Sequence, residues 1–449
     1  MSTSNGAVLS PLLPTASAEE LPFLELGTSG LKAHGGFIKE EFLQQLSGPR
    51  GMRVYREMRD NDSMVGAALF AVEMAMRRAD WSLTPADAST QALFIADRLS
   101  EMLFQDMSTS WSALLVEILS FLTYGWAYTE LVYKRRTGYA PPLGQERDPT
   151  FAASRFTDGL IGLRKLPLLG QDTLLRWEFT SDKRGLVGMV QQDTSAYQGS
   201  VLIPIDKALL FRPSSWKGNP EGRSILRNAY RSWYMKTRLE NLQGIGIERN
   251  LVGIPKLELP AELFGSSLTA QQAAQFAAFK TLGKNVSQNE QSCILWPLAY
   301  DDKGNKRYDF SLVSLSGNRP LDTSTPIERY DTRILQSILA DIVMVGQGSN
   351  GSQSLAETKS EFFLLALTGF LDVIAETFTL HCFPRLADLN GWPRALTPTL
   401  VHSDLQETDF ERFSAGVKNL AQAGLVLQPS DEAYIRAQAG FPELMEETL

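Results

Sequence analysis

Hydrophobic residues recur at helical spacing from Asp62 to Arg78, where Val65, Leu69, Val72 and Met76 share one face and Asp62 or Ser63 stands ready as a cap. No sustained period precedes this stretch, so residues 1–50, rich in Ser, Pro, Gly and Leu, read as an extended arm. A second helix is predicted over 110–122, with Leu114, Leu115, Ile118 and Leu119 inward and Gly125 as its stop. Strand signals are β-branched and aromatic runs: Trp81–Leu83, then Trp126–Lys134, then Leu174–Phe179 and Leu186–Gln191 around a turn at 182–185. Pro204 between Ile203 and Ile205 marks an edge position.

After residue 215 the pattern changes. Asn219-Pro220-Glu221-Gly222 predicts a turn, followed by a helix to about Asn241. Arg223, Arg227 and Arg231 recur every four residues, and Arg238 lies seven further on. On a continuous helix they form one basic ridge over the stripe Leu226, Ala229, Tyr230 and Trp233. Residues 251–325 read as a small α/β insert, with a helix over 269–282 capped by Thr269 and ended at Gly283, and strands at 293–296 and 308–315. A further helix begins near Thr325, with Ile327, Tyr330, Ile334, Leu335, Ile338, Leu339 and Ile342 in period. The polar loop Gly346–Ser354 (GQGSNGSQS) separates it from the longest predicted helix, 355–383, with Ser354 and Glu357 as a capping box and Pro384 as the stop. Two helices, 407–423 and 431–438, close the chain.

Charge and composition then exclude several classes. Of the 449 residues, 43 are basic and 51 acidic, a net charge of −8 that argues against a sequence-reading nucleic-acid binder, whose surface is normally basic. The acid is concentrated after residue 402, where nine acidic residues face three basic ones. Two cysteines, Cys293 and Cys382, make neither a disulfide framework nor a metal motif, and three histidines (His34, His381, His402) cannot complete a zinc site. Cofactors and metals are therefore expected to be absent. The first 31 residues contain no Lys or Arg, as a signal peptide would require, and the most apolar run, 362–371, is ten residues long against the roughly 20 of a membrane span. A chain without membrane contact, made in the cytosol, is the expectation.

Gly346-Gln347-Gly348-Ser349-Asn350-Gly351 matches G-x-G-x-x-G, with Asp372 about where a ribose-binding acid stands. A dinucleotide-dependent oxidoreductase is the alternative it raises. The fingerprint needs a strand before the glycines, and the preceding residues have helical spacing, so a polar inter-helix loop is the preferred reading. No P-loop, G-x-S-x-G or H-E-x-x-H occurs, and the adjacent His381-Cys382 pair would point about 100° apart on a helix. No enzymatic activity is expected.

Four stretches carry a resemblance: YREMRDNDSMVGAALFAVEMAMRRADWSL from Tyr55, YGWAYTELVY from Tyr124, NPEGRSILRNAYRSWYMKTRLENLQGIGIER from Asn219, and the leucine-rich C-terminal helices. In their order and spacing the chain resembles the portal proteins of tailed bacteriophages, and more narrowly the Mu-type branch. The resemblance implies an α+β portal fold: an N-terminal arm (1–50), a wing (51–218 with a strand at 399–402), a first stem helix (219–250), a clip (251–324), a second stem helix (325–345), a tunnel loop (346–354), a long tunnel helix with its wing connection (355–398) and a crown (403–449). It implies a ring, dodecameric in the family's stoichiometry, at the unique capsid vertex of the virion. Double-stranded genomic DNA would pass through that ring without sequence preference. The large terminase subunit, the major capsid protein and head-completion or adaptor proteins are the implied partners. Gln347, Ser349, Asn350, Ser352 and Gln353 would line the channel. Arg223, Arg227, Arg231 and Arg238 would face phosphates or an adjacent subunit. Another capsid or tail component without a channel is the remaining alternative.

Overall fold

The computed structural model describes residues 27–140, 151–182, 184–192, 199–252, 254–264, 268–287, 300, 304, 308–313, 324–338, 353–405, 418–419 and 422. They fall into two compact units, one of residues 1–227 with 337–449, the other of residues 228–336.

The first unit opens with a small hairpin, β1 (Ala33–His34) and β2 (Phe37–Ile38), and a helix, α1 (Gly48–Asn61). The stretch expected to be an arm thus carries ordered structure from residue 33. Helix α1 escapes the periodicity reading because its buried Met52, Tyr55 and Met58 are interleaved with Arg and Glu. Helix α2 (Ser63–Met76) follows, and Asp62 is its cap: Oδ1 accepts from the N–H groups of Met64 (2.9 Å) and Val65 (3.0 Å). Strand β3 (Trp81–Thr84) leads to α3 (Thr90–Ser100), an element the sequence reading lacks, which runs on through a π-helical turn at Glu101–Gln105.

Helix α4 (Trp111–Tyr124) is capped by the Ser110 side chain and ends at Gly125, whose φ of +91° places it in the left-handed region. The predicted single strand 126–134 is two, β4 (Ala127–Glu130) and β5 (Val132–Arg135), divided at Leu131 and paired in different sheets. After β6 (Ile161–Lys165), β7 (Leu168–Leu169), β8 (Leu174–Phe179), β9 (Leu186–Gln192), β10 (Ser200–Pro204) and β11 (Ala208–Phe211), the chain has built small antiparallel sheets ordered β11-β4-β7, β10-β9-β8 and β5-β6. The Pro204 strand lies at an edge, where its missing N–H costs no ladder bond. Strand β4 is central, which explains why Trp126, Ala127 and Tyr128 are all fully buried rather than alternating. Trp126 meets Trp177 edge-to-face at 5.1 Å, and the Tyr128 hydroxyl donates to the Ile203 carbonyl at 3.0 Å.

At the end of β5 lies a buried ionic knot. Lys134 Nζ donates to the carbonyls of Asp106 (2.5 Å) and Ala153 (2.7 Å) and stands 3.1 Å from Asp106 Oδ1. Ser154 Oγ and the Arg155 N–H also donate to the Asp106 carboxylate. Arg136 reaches Glu101 (2.7 Å) and Asp158 (3.1 Å), its guanidinium 3.9 Å from the centre of the Phe156 ring. Every charge in the knot has an opposite neighbour, without which its burial would be prohibitive.

The second unit begins with α5 (Tyr230–Val252), whose 23 residues span about 35 Å. Strand β12 (Ile254–Glu258) pairs antiparallel with β13 (Asp309–Val313), and α6 (Ala270–Ser287) packs on β12. The predicted strand at 308–315 is thus present, while 293–296 lies outside the described residues. Thr269 caps α6 reciprocally: its N–H donates to Gln272 Oε1 (2.9 Å), and its Oγ1 accepts from the Gln272 N–H (3.3 Å). Gly283 does not end α6, which continues to Ser287, because an interior glycine costs only about 1 kcal/mol. Helix α7 (Ser324–Ser337) takes up the period that begins near Thr325.

The chain re-enters the first unit and forms α8 (Gln353–Thr377). Ser354 therefore lies inside the helix rather than at its cap. Nor does Pro384 stop it. A π-helical turn at Phe378–Cys382 widens the register to i→i+5, with the Phe383 N–H bonded to the Phe378 carbonyl. Pro384 then occupies the second position of α9 (Phe383–Asn390), which ends at the left-handed Gly391. From Ser360 to Asn390 this rod is long and apolar enough to cross a membrane by length and composition, with a mean hydropathy of 1.7 over its most apolar 18 residues. The ten-residue run noted in the sequence understates it. One face of it lies in the core, where Phe363, Leu367, Leu371, Ile374 and Phe378 are buried and Phe378 meets Trp111 at 5.3 Å, while Phe362, Leu365 and Leu380 are exposed. Strand β14 (Thr399–His402) then pairs antiparallel with β3, His402 opposite Trp81. Of the two predicted C-terminal helices, only Lys418, Asn419 and Gln422 are described, all helical.

Candidate functional site

The arginines expected on one helical ridge are split between the two units. Arg223 lies in an irregular segment, Arg227 ends a single 3-10 turn at Ile225–Arg227, and α5 starts only at Tyr230, so Arg231 and Arg238 alone share a helix. The cause is the sewing of 219–224 onto the end of α4. Ser224 Oγ donates to the Thr123 carbonyl (2.5 Å) and accepts from the Leu226 N–H (3.0 Å). Gly222, at φ +55°, packs so closely on Gly125 that a Cβ there would meet its carbonyl oxygen at 2.2 Å. A helix begun at Arg223 would break these contacts.

The arginines also differ in surroundings. Arg227 grips Glu41, Nε to Oε2 at 2.6 Å and Nη2 to Oε1 at 2.7 Å. Burial works against the Glu41 charge, but the Arg227 hydrogen bond and the Leu43 N–H outweigh it and hold the carboxyl below its ordinary value. Arg231 and Arg238 are exposed, and Arg238 lies over the Tyr234 ring at 5.4 Å. Lys236, part of the same basic run, is buried, 2.6 Å from Asp331.

Of the expected channel-lining residues, Gln347, Ser349, Asn350 and Ser352 lie outside the described residues, and Gln353 is the first residue of α8. The last described element before the glycine loop is the helix α7, where a dinucleotide fold requires a strand. Nor does His381-Cys382 offer a nucleophile: burial pushes the Cys382 thiol up to about 12 and holds the His381 imidazole below its ordinary value.

The sequence reading misses a cavity of about 420 Å³ in the first unit. Its walls include Ile38, Met52 and Tyr55 on one side and Glu221, Arg223 and Arg227 on the other. Burial pushes the Glu221 carboxyl up to about 7, with Trp177 Nε1 donating to it at 3.2 Å. The cavity joins residues from opposite ends of the first 227, so no local motif announces it.

The family model of the portal protein of Mu bacteriophage matches residues 52–441. The chain belongs to that family. This portal protein shares its fold with solved chains of gene transfer agent (GTA) particles. One, from the neck of an empty GTA particle computed with C6 symmetry, is 12% identical with a TM-score of 0.50, covering 87% of this chain and 94% of that one. Two more come from the virion of a native GTA particle (11% identical, TM-score 0.49, 88% and 94% covered) and the neck of a native GTA particle computed with C12 symmetry (12%, 0.48, 88% and 95%). At such identities the likeness is one of fold. The portal family is a structural class, and the portal fold expected from the sequence is the fold of this chain.

Proposed function

We propose that the chain assembles into a closed ring, a dodecamer in the family's stoichiometry, at the portal vertex of a phage-like virion, and that genomic DNA enters and leaves through its axis. The observation that carries this reading is the family match across residues 52–441. The related fold of a chain in a particle neck computed with C6 symmetry supports it. The second unit then corresponds to stem and clip. Its small sheet and helices would meet the large terminase subunit during packaging and a head-completion or adaptor protein afterwards. The major capsid protein would surround the ring, and assembly would take place in the host cytoplasm.

Physical chemistry fits this role. A conduit must hold DNA weakly and without reading bases, because affinity from phosphate contacts grows steeply with the number of cations. A net charge of −8 limits adhesion, while exposed Arg231 and Arg238 can steer phosphates. Gln347, Ser349, Asn350, Ser352 and Gln353 are small or uncharged polar residues suited to a pliable collar. Electron microscopy of the purified full chain tests the reading: closed rings with an axial hole are expected, and particles without a hole would assign the chain to another structural role.

A further inference from the structure

The cavity between Ile38 and Arg227 has aromatic residues at its edge that none of the described residues covers. Phe42 is 91% exposed and Trp216 79% exposed, and both belong to its lining. Inside, Ile38, Leu46, Met52 and Tyr55 are buried and mostly apolar, and the volume falls in the range of about 300–1,000 Å³ that ligand sites occupy. We propose that this cavity is the seat of the chain's own segment Leu21–Leu26 (LPFLEL), which docks its Phe23 and leucines between Phe42 and Trp216.

Three observations favour this occupant. The chain leads to the cavity from residue 27 onward: the Gly30 carbonyl accepts from Nζ of Lys217, a lining residue, at 3.4 Å, and the Lys32 N–H donates to Glu40, another lining residue, at 2.7 Å. Gly30 is left-handed, with φ +69°, and Gly27-Thr28-Ser29-Gly30 is a short polar stretch suited to a reversal. Gly30 lies seven positions after Phe23, a reach of up to about 23 Å, enough to return to the cavity mouth.

Pro22 biases Leu21 to an extended backbone, so part of the ordering cost is met in advance. Connection in the same chain supplies an effective concentration near the millimolar range, so modest contacts suffice.

The test uses the full chain in a Cys293→Ser background, where the remaining Cys382 is buried. Phe23→Cys and Ser47→Cys are introduced together and treated with a short bis-maleimide. Cross-linking within one chain, at least fivefold above a Leu9→Cys/Ser47→Cys control, is expected. Isotope-labelled mixtures of the two single variants are expected to give no linked pair. Linkage mainly between mixed chains would overturn the proposal in favour of a second copy, and linkage at the control level would overturn it outright. Hydrogen exchange gives a second reading without new cysteines. In Phe23→Ser the amides of 42–47 and 219–224 should exchange at least fivefold faster than in the wild type and in Leu9→Ser. Equal rates in all three would contradict the assignment.

Discussion

Arg227 and Glu41 are joined by two parallel hydrogen bonds, both charge-assisted and both half-buried, across 186 positions of sequence. The pair ties the N-terminal segment to the 3-10 turn at Ile225–Arg227. Truncating Arg227 to Ala is expected to cost about 2 kcal/mol, and Arg227→Lys should restore only part of it, since an ammonium cannot reproduce the fork. Chemical denaturation of the three proteins checks this. Equal midpoints would show that the bond contributes nothing.

Arg231 and Arg238 should behave in the opposite way. They are exposed on α5, so replacing either by Ala should shift stability by less than about 0.5 kcal/mol. On the conduit reading the double variant should weaken duplex-DNA binding equally for unrelated sequences. It should also reduce the slope of log K against log salt by about 0.9 per phosphate lost. Filter binding over a salt series measures both.

Much of this could be read along the chain, and the failures share one origin. Helices α2 and α4 were legible because their apolar stripes and caps, Asp62, Ser110 and Gly125, are local. The family resemblance was legible for the same reason, as ordered local stretches. The basic ridge was not. Its period of four is real in the sequence, but Ser224 and Gly222 bind the end of α4 and delay the helix to Tyr230. Pro384 reads as a stop in the sequence, but the π turn before it changes the hydrogen-bond register. The Glu41–Arg227 pair and the cavity beside it unite distant segments, which no periodicity reports.

Glu221 makes stability depend on pH. Burial raises its carboxyl to about 7 in the fold, against an ordinary 4.5, so the folded state holds a proton that the unfolded chain releases between those values. Its burial is therefore tolerated fully below pH 4.5, and stability is lost as the pH rises to about 7. The penalty at higher pH is about 3 kcal/mol at most. Glu221→Gln should flatten this part of the stability profile and be the more stable protein at pH 8. An unchanged slope between pH 4.5 and 7 would show that Glu221 is ionised in the fold.

The knot around Asp106 should be intolerant of truncation. Asp106→Ala leaves Lys134 and Arg136 buried with fewer partners, an expected loss of about 3–5 kcal/mol. Asp106→Asn keeps the acceptor for Ser154 and should lose less. Denaturation midpoints rank the two, and the reverse order would contradict the assignment of Asp106 as counter-charge.

Gly222→Ala probes the junction that displaces the helix start. The residue is left-handed and the added Cβ would meet the Gly125 carbonyl oxygen at 2.2 Å, so a loss of about 2 kcal/mol or more is expected. Gly244→Ala, with nothing within 4 Å, serves as the control and should be neutral or stabilising. Circular dichroism melts of both variants decide it.

The central claim is that this portal-family chain walls a pore. Imaging the purified full chain by electron microscopy, with its mass measured in the same preparation, tests that most directly. The account predicts closed rings with an axial hole and, for twelve copies of the 49.8 kDa chain, a mass of about 600 kDa. Chains that remain single in solution and form no holed ring in assembled particles would contradict it.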